Sequence, residues 1–186
     1  MRKIRLPFRL PDLSDFPDFP ATHGSYSRMT SAMRELTYAL PGGAGFLRAP
    51  TYLCAALYIL SLLVMLVRQD ARIVRALLVP AACFLVVTVL RPLINRERPY
   101  DYFDSPPVGS YKRGKGRSMP SRHTASAAAV ACAVIYAFPS WPVAVLMTLL
   151  SLLIASLRVL AGQHYLSDVL AAVAISFILS LIGYVI

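Results

Sequence analysis

Residues 141–186 read WPVAVLMTLLSLLIASLRVLAGQHYLSDVLAAVAISFILSLIGYVI, and this stretch decides the fold. Two apolar segments, Trp141–Leu157 and Val169–Ile186, flank a short polar turn that carries Arg158, His164 and Asp168. A helix crossing the hydrocarbon layer of a bilayer needs about 20 mostly apolar residues, with a range of about 17–25. Both segments lie near the short end of that range. Three more precede them: Thr51–Val67, Ile73–Leu90 and Thr124–Pro139. Composition agrees, since 57% of the 186 residues are hydrophobic and 15% charged. That bias lies outside the range of an ordinary soluble domain. The expected fold class is all-α: an integral membrane helical bundle of about five transmembrane helices, with an N-terminal interfacial helix.

Thr124–Pro139 is rich in alanine, with Ala125, Ala127, Ala128, Ala129, Ala131 and Ala133. Small side chains let helices approach closely in lipid, which places this segment at the bundle centre. Residues 1–24 carry Pro7, Pro11, Pro17 and Pro20 and are expected to be irregular. Residues 26–40 then set Met29, Met33, Leu36 and Leu40 at helical spacing, the pattern of a helix lying in the membrane surface, ended by Pro41-Gly42-Gly43. The division is therefore 1–48 as an irregular and amphipathic surface segment and 49–186 as the transmembrane domain. No apolar run follows the basic start within 40 residues, so no cleavable signal is expected. Cys54, Cys83 and Cys132 all fall in apolar segments and read as small buried hydrophobes. The net charge of +10 suits basic loops beside anionic headgroups. No nucleic-acid motif accompanies it, so DNA and RNA are not expected partners.

Counting crossings from the N-terminal side puts Arg91, the loop 91–123, Arg158, His164 and Asp168 at one membrane face. Three motifs meet there: Arg91-x6-Arg98-Pro99, Pro120-Ser121-Arg122-His123 and Arg158-x5-His164-x3-Asp168. Arg91 and Arg98 are about two helical turns apart and can project from one side of a helix. Guanidinium forks suit bidentate recognition of phosphate oxygens, although arginines ending a span also snorkel or set topology. Ser121 stands where a serine caps a helix, and the free amides of a first turn favour an anion. His123 then lies beside such an anion, placed to protonate a departing oxygen. Arg122 has two readings, phosphate ligand or headgroup contact. His164 and Asp168, four apart, share one helix face. A carboxylate on one ring N–H fixes the tautomer and frees the other nitrogen to attack. The alternative for that pair is a purely structural hydrogen bond. His23 is given no role. Asp104–Ser118 is rich in Gly, Pro and charge and reads as a mobile loop. Its stretch Lys112–Arg117 fits either a highly anionic substrate, such as a diphosphate or phosphatidylglycerophosphate, or plain headgroup binding.

Together these residues resemble the type 2 phosphatidic acid phosphatase (PAP2) family. That family includes lipid-A and polyprenyl-diphosphate phosphatases and shares its site with vanadium haloperoxidases. Its pattern is Lys-x6-Arg-Pro, Pro-Ser-x-His and Ser-Arg-x5-His-x3-Asp, and the resemblance covers roughly residues 50–186. It implies a helical membrane lipid phosphatase in which His164 becomes phosphohistidine, His123 serves the leaving group and Asp168 partners His164. Arg91, Arg98, Ser121 and Arg158 correspond to the phosphate cradle, and the family needs neither metal nor other cofactor. Two positions depart from the pattern: Arg91 replaces the usual Lys, and Leu157 replaces the usual Ser.

Two other functions fit the same residues. A phosphotransferase would pass the phosphate to a second lipid, and a non-enzymatic binder of anionic lipids would need the arginines but neither histidine. The face that carries the motifs holds 16 Lys/Arg and the other three, Arg68, Arg72 and Arg75. By the positive-inside rule the motifs are expected at the cytoplasmic face.

Overall fold

The computed structural model describes residues 18–40, 43–114 and 116–185. The proline-rich start 1–17, Pro41-Gly42 in the expected helix stop, Lys115 in the basic loop and Ile186 lie outside the described residues. The described residues form helices α1 (His23–Ala39), α2 (Ala49–Val67), α3 (Ile73–Ile94), α4 (Pro99–Tyr102), α5 (Arg122–Ala137), α6 (Trp141–Leu160) and α7 (Leu166–Val185), with a 3₁₀ turn over Gly43–Arg48. No strand occurs among them.

α2, α3, α6 and α7 are long and apolar enough to cross a membrane. At 16 residues α5 is shorter, about 24 Å. It sits where length matters least, packed against α2, α3, α6 and α7. From Thr124 to Ala137 none of its residues is exposed. Lipid provides no hydrophobic drive between helices, so close approach of small residues has to hold the bundle. The alanine run does this on α5. A Cβ added at Gly183 on α7 would clash with Val79 Cγ2 on α3. Ser176 Oγ on α7 donates to the Ala125 carbonyl on α5 at 3.0 Å. The outer faces carry the exposed apolar side chains, among them Leu60, Leu85, Leu149 and Phe177.

α1 starts three residues earlier than the apolar spacing suggests, because Thr22 and Ser25 form a reciprocal cap. Its buried face also differs from the expected stripe. Tyr26, Thr30, Met33 and Thr37 are buried, whereas Leu36 is 54% exposed. The cause is Tyr26, which packs among Tyr100, Phe103 and Tyr165. Its hydroxyl donates to the carbonyls of Ser105 and Gly162, at 3.2 Å each. α1 therefore braces the loops at one end of the bundle. That same end carries all three motifs.

Candidate active site

At the braced end lies a cavity of about 550 Å³. Six of the eight residues singled out in the sequence line it: Arg91, Arg98, Arg122, His123, Arg158 and His164. The other two, Ser121 and Asp168, are buried behind it.

Arg91 and Arg98 do not meet through helical periodicity. α3 ends at Ile94, and Asn95 turns left-handed with φ 47°, its N–H bonded to the Arg91 carbonyl. Arg98 follows with extended backbone at the N-cap position of α4, where its side chain makes no capping bond. Arg91, 7% exposed, points one guanidinium nitrogen at the Pro120 carbonyl, 3.1 Å away. Arg98 donates to the Gln163 carbonyl at 3.3 Å, and Arg158 to Gln163 Oε1 at 2.8 Å. Gln163 thus spaces two of the cavity arginines, and its own amide is held by the Val108 carbonyl at 3.1 Å.

Ser121 occupies the cap position of α5, but its hydroxyl makes no capping bond to the first-turn amides. It accepts from Thr124 Oγ1 at 3.1 Å, and its N–H donates to the Asp168 carbonyl at 3.1 Å. Its N–H thereby joins α5 to α7. His123, one residue into α5, remains exposed to the cavity.

His164 lies in the turn between α6 and α7 and is 2% exposed. Its Nδ1 is 3.3 Å from Asp168 Oδ2 and 3.4 Å from Ser118 Oγ. Burial pushes the His164 pKa below the ordinary histidine value, and the Asp168 carboxylate opposes that shift. With Nδ1 held by Asp168 and Ser118, the other ring nitrogen, Nε2, is left without a hydrogen bond among the described residues.

Three residues that complete this centre escaped the sequence reading. Ser118 hydrogen-bonds Asp168 Oδ2 and is fully buried. Arg96 bonds Asp168 Oδ1 at 3.0 Å and Asp18 at 3.1 Å, with its guanidinium 4.1 Å from the Tyr165 ring centre. Asp18 also accepts from the Ser167 hydroxyl. Arg96 was hidden in the six-residue gap between Arg91 and Arg98. Ser118 belonged to the stretch read as a mobile loop. That loop is tied down where it borders the site: Val108 N–H bonds the Ala161 carbonyl at 2.9 Å, and Ser118 N–H bonds the Arg96 carbonyl at 2.8 Å.

An all-helical bundle that gathers arginines and two histidines around one cavity presents the donors that suit phosphate oxygens. The PAP2 superfamily model matches residues 72–186, and the chain belongs to that superfamily of membrane phosphatases, hydrolases of phosphoric-ester bonds. No curated protein sequence matches it. Two solved structures share the fold. One is the transmembrane PAP2-type phosphatidylglycerolphosphate phosphatase from Bacillus subtilis, 22% identical with TM-score 0.62, covering 86% of this chain and 83% of that one. The other is Aquifex aeolicus LpxE, also 22% identical with TM-score 0.62, covering 82% of this chain and 92% of that one.

Proposed function

We propose that this protein hydrolyses a lipid phosphate through a phosphohistidine at His164. One observation carries the reading. A buried histidine, held at Nδ1 by a carboxylate, borders the same cavity as Arg91, Arg98, Arg158 and a second histidine. His164 Nε2 attacks phosphorus in line while the arginines hold the equatorial oxygens. The ester P–O bond breaks, and His123 gives its proton to the departing oxygen. Asp168 stabilises the imidazolium that forms. Water then attacks the phosphohistidine, His123 takes its proton, the P–N bond breaks and inorganic phosphate leaves. Ser121 supports this site from behind, and Arg122 stands at its edge.

The substrate is a membrane lipid carrying a phosphate or diphosphate: polyprenyl diphosphate, phosphatidylglycerophosphate, phosphatidate or a lipid-A type phosphate. The excess of basic residues on the site's side supports a cytoplasmic face. A reporter fused after Ile186 would then be found outside the cytoplasm. The central test is phosphate release by detergent-purified protein with EDTA present. Release that requires His164 establishes the reading, and full release by His164→Ala overturns it.

A further inference from the structure

The cavity carries more positive charge than one phosphate ester balances. Six cations line it: Arg48, Arg91, Arg98, Lys112, Arg122 and Arg158. No Asp or Glu is among its lining residues. A phosphate monoester brings at most about −2. Like charges held close without a counter-ion repel one another, and the repulsion grows as water is excluded.

The six fall into two tiers. Arg91 is buried and Arg98 and Arg158 are half-buried, beside His164 on the cavity floor. Arg48, Lys112 and Arg122 are exposed at the rim. Arg48 ends the 3₁₀ turn before α2 and donates to Ser110 Oγ at 2.7 Å. That bond joins the start of the first spanning helix to the loop 104–118 across the cavity. Lys112 is placed on the same wall, since its carbonyl accepts from the buried Tyr100 hydroxyl at 3.2 Å. Arg48 forms no ion pair among the described residues, whereas Arg72, Arg96 and Arg113 each have a carboxylate.

We infer that Arg48 and Lys112 form a second anion subsite, and that the preferred substrate carries a second phosphate next to the one removed. The inference rests on the phosphatase reading above and narrows its substrate class. The terminal phosphate occupies the floor beside His164, and the second phosphate, linked to the lipid, sits at the rim. In a diphosphate ester, hydrolysis breaks the bridging P–O bond: the terminal phosphorus leaves as inorganic phosphate, and the lipid keeps a monophosphate. In a lipid whose second phosphate is a diester, the terminal ester P–O bond breaks and the diester is untouched.

The test compares matched pairs with the full-length purified protein. Farnesyl diphosphate is set against farnesyl monophosphate, and phosphatidylglycerophosphate against phosphatidate. Wild-type kcat/KM should favour the two-phosphate member of at least one pair by about tenfold or more, the contribution expected of one charge-assisted contact. The pair that shows the preference tells a diphosphate from a diester. Arg48→Gln and Lys112→Gln should each lower that ratio about tenfold, with Arg48→Lys losing less than Arg48→Gln. Equal use of both members of both pairs by the wild type overturns the second subsite, and so does an unchanged ratio in both Gln variants. His164→Ala runs in parallel: if it keeps releasing phosphate, the histidine mechanism falls, while the wild-type ratio still judges the subsite.

Discussion

Two arginines at opposite ends of the bundle form ion pairs of different character. At the end away from the site, Arg72 pairs with Asp70 at 2.7 Å in the short turn between α2 and α3, with side chains 46% and 22% exposed. At the site end, Arg96 pairs with Asp168 at 3.0 Å and with Asp18 at 3.1 Å, and its side chain is 9% exposed. Water and salt screen the first pair, so it adds little to stability. The second is enclosed, so removing one partner strands a buried charge. The far end thus uses its charges to finish a turn. The site end uses them to fix the carboxylate that holds His164.

The comparison is sharpened by substitutions at both ends. The largest effect belongs to His164→Ala, which should lower turnover by about 10⁴-fold or more, read as phosphate release. Arg96→Met should destabilise the protein by about 3–5 kcal/mol, the usual result of breaking a buried pair from one side, seen as a lower thermal midpoint in detergent. A midpoint equal to wild type would show that the Arg96 network carries no such weight. Gly162→Ala comes next. Gly162 has φ +72°, and an added Cβ would lie 2.6 Å from the Tyr26 hydroxyl. Left-handed strain plus that clash should cost about 2 kcal/mol or more and loosen α1, raising protease sensitivity before residue 40.

A smaller effect concerns pH. The proposed mechanism uses His164 in its neutral form, and burial lowers its folded pKa. It therefore stays neutral as pH falls through the ordinary histidine value, and its acidic limb in kcat/KM should lie below that value. Asp168→Asn removes the group that raises the His164 pKa, so the limb should move further to acid while kcat falls. A limb moving towards neutral pH would contradict this coupling. Smallest of all, Asp70→Asn should change neither phosphate release nor the thermal midpoint measurably.

Much of the fold was legible in sequence because lipid imposes simple rules. Apolar length marked the spans to within a few residues, and the alanine run marked the centre. The residues that gather at the cavity were legible because the motifs lie close to helix ends. What stayed hidden depended on backbone geometry. Nothing in Arg91-x6-Arg98 announces that α3 stops at Asn95, so two arginines that look like one helix face come from separate elements. Arg96 sat between them as one more basic residue. The Ser121 hydroxyl and Ser118 follow the same logic. A serine before a helix has several partners in reach, and only the fold decides that one faces Thr124 and the other Asp168.

The link from Asp18 to Ser167 and Arg96 also has a bearing on biogenesis. Asp18 precedes Ser167 by 149 residues, so a ribosome supplies the two partners far apart in time. A nascent chain halted before Leu166 already holds Arg91, Arg98 and His123, but it lacks Asp168, the carboxylate that Arg96 and Ser118 hold. The network around Asp168 therefore closes only once the first turn of α7 has been made, well after Arg91, Arg98 and His123.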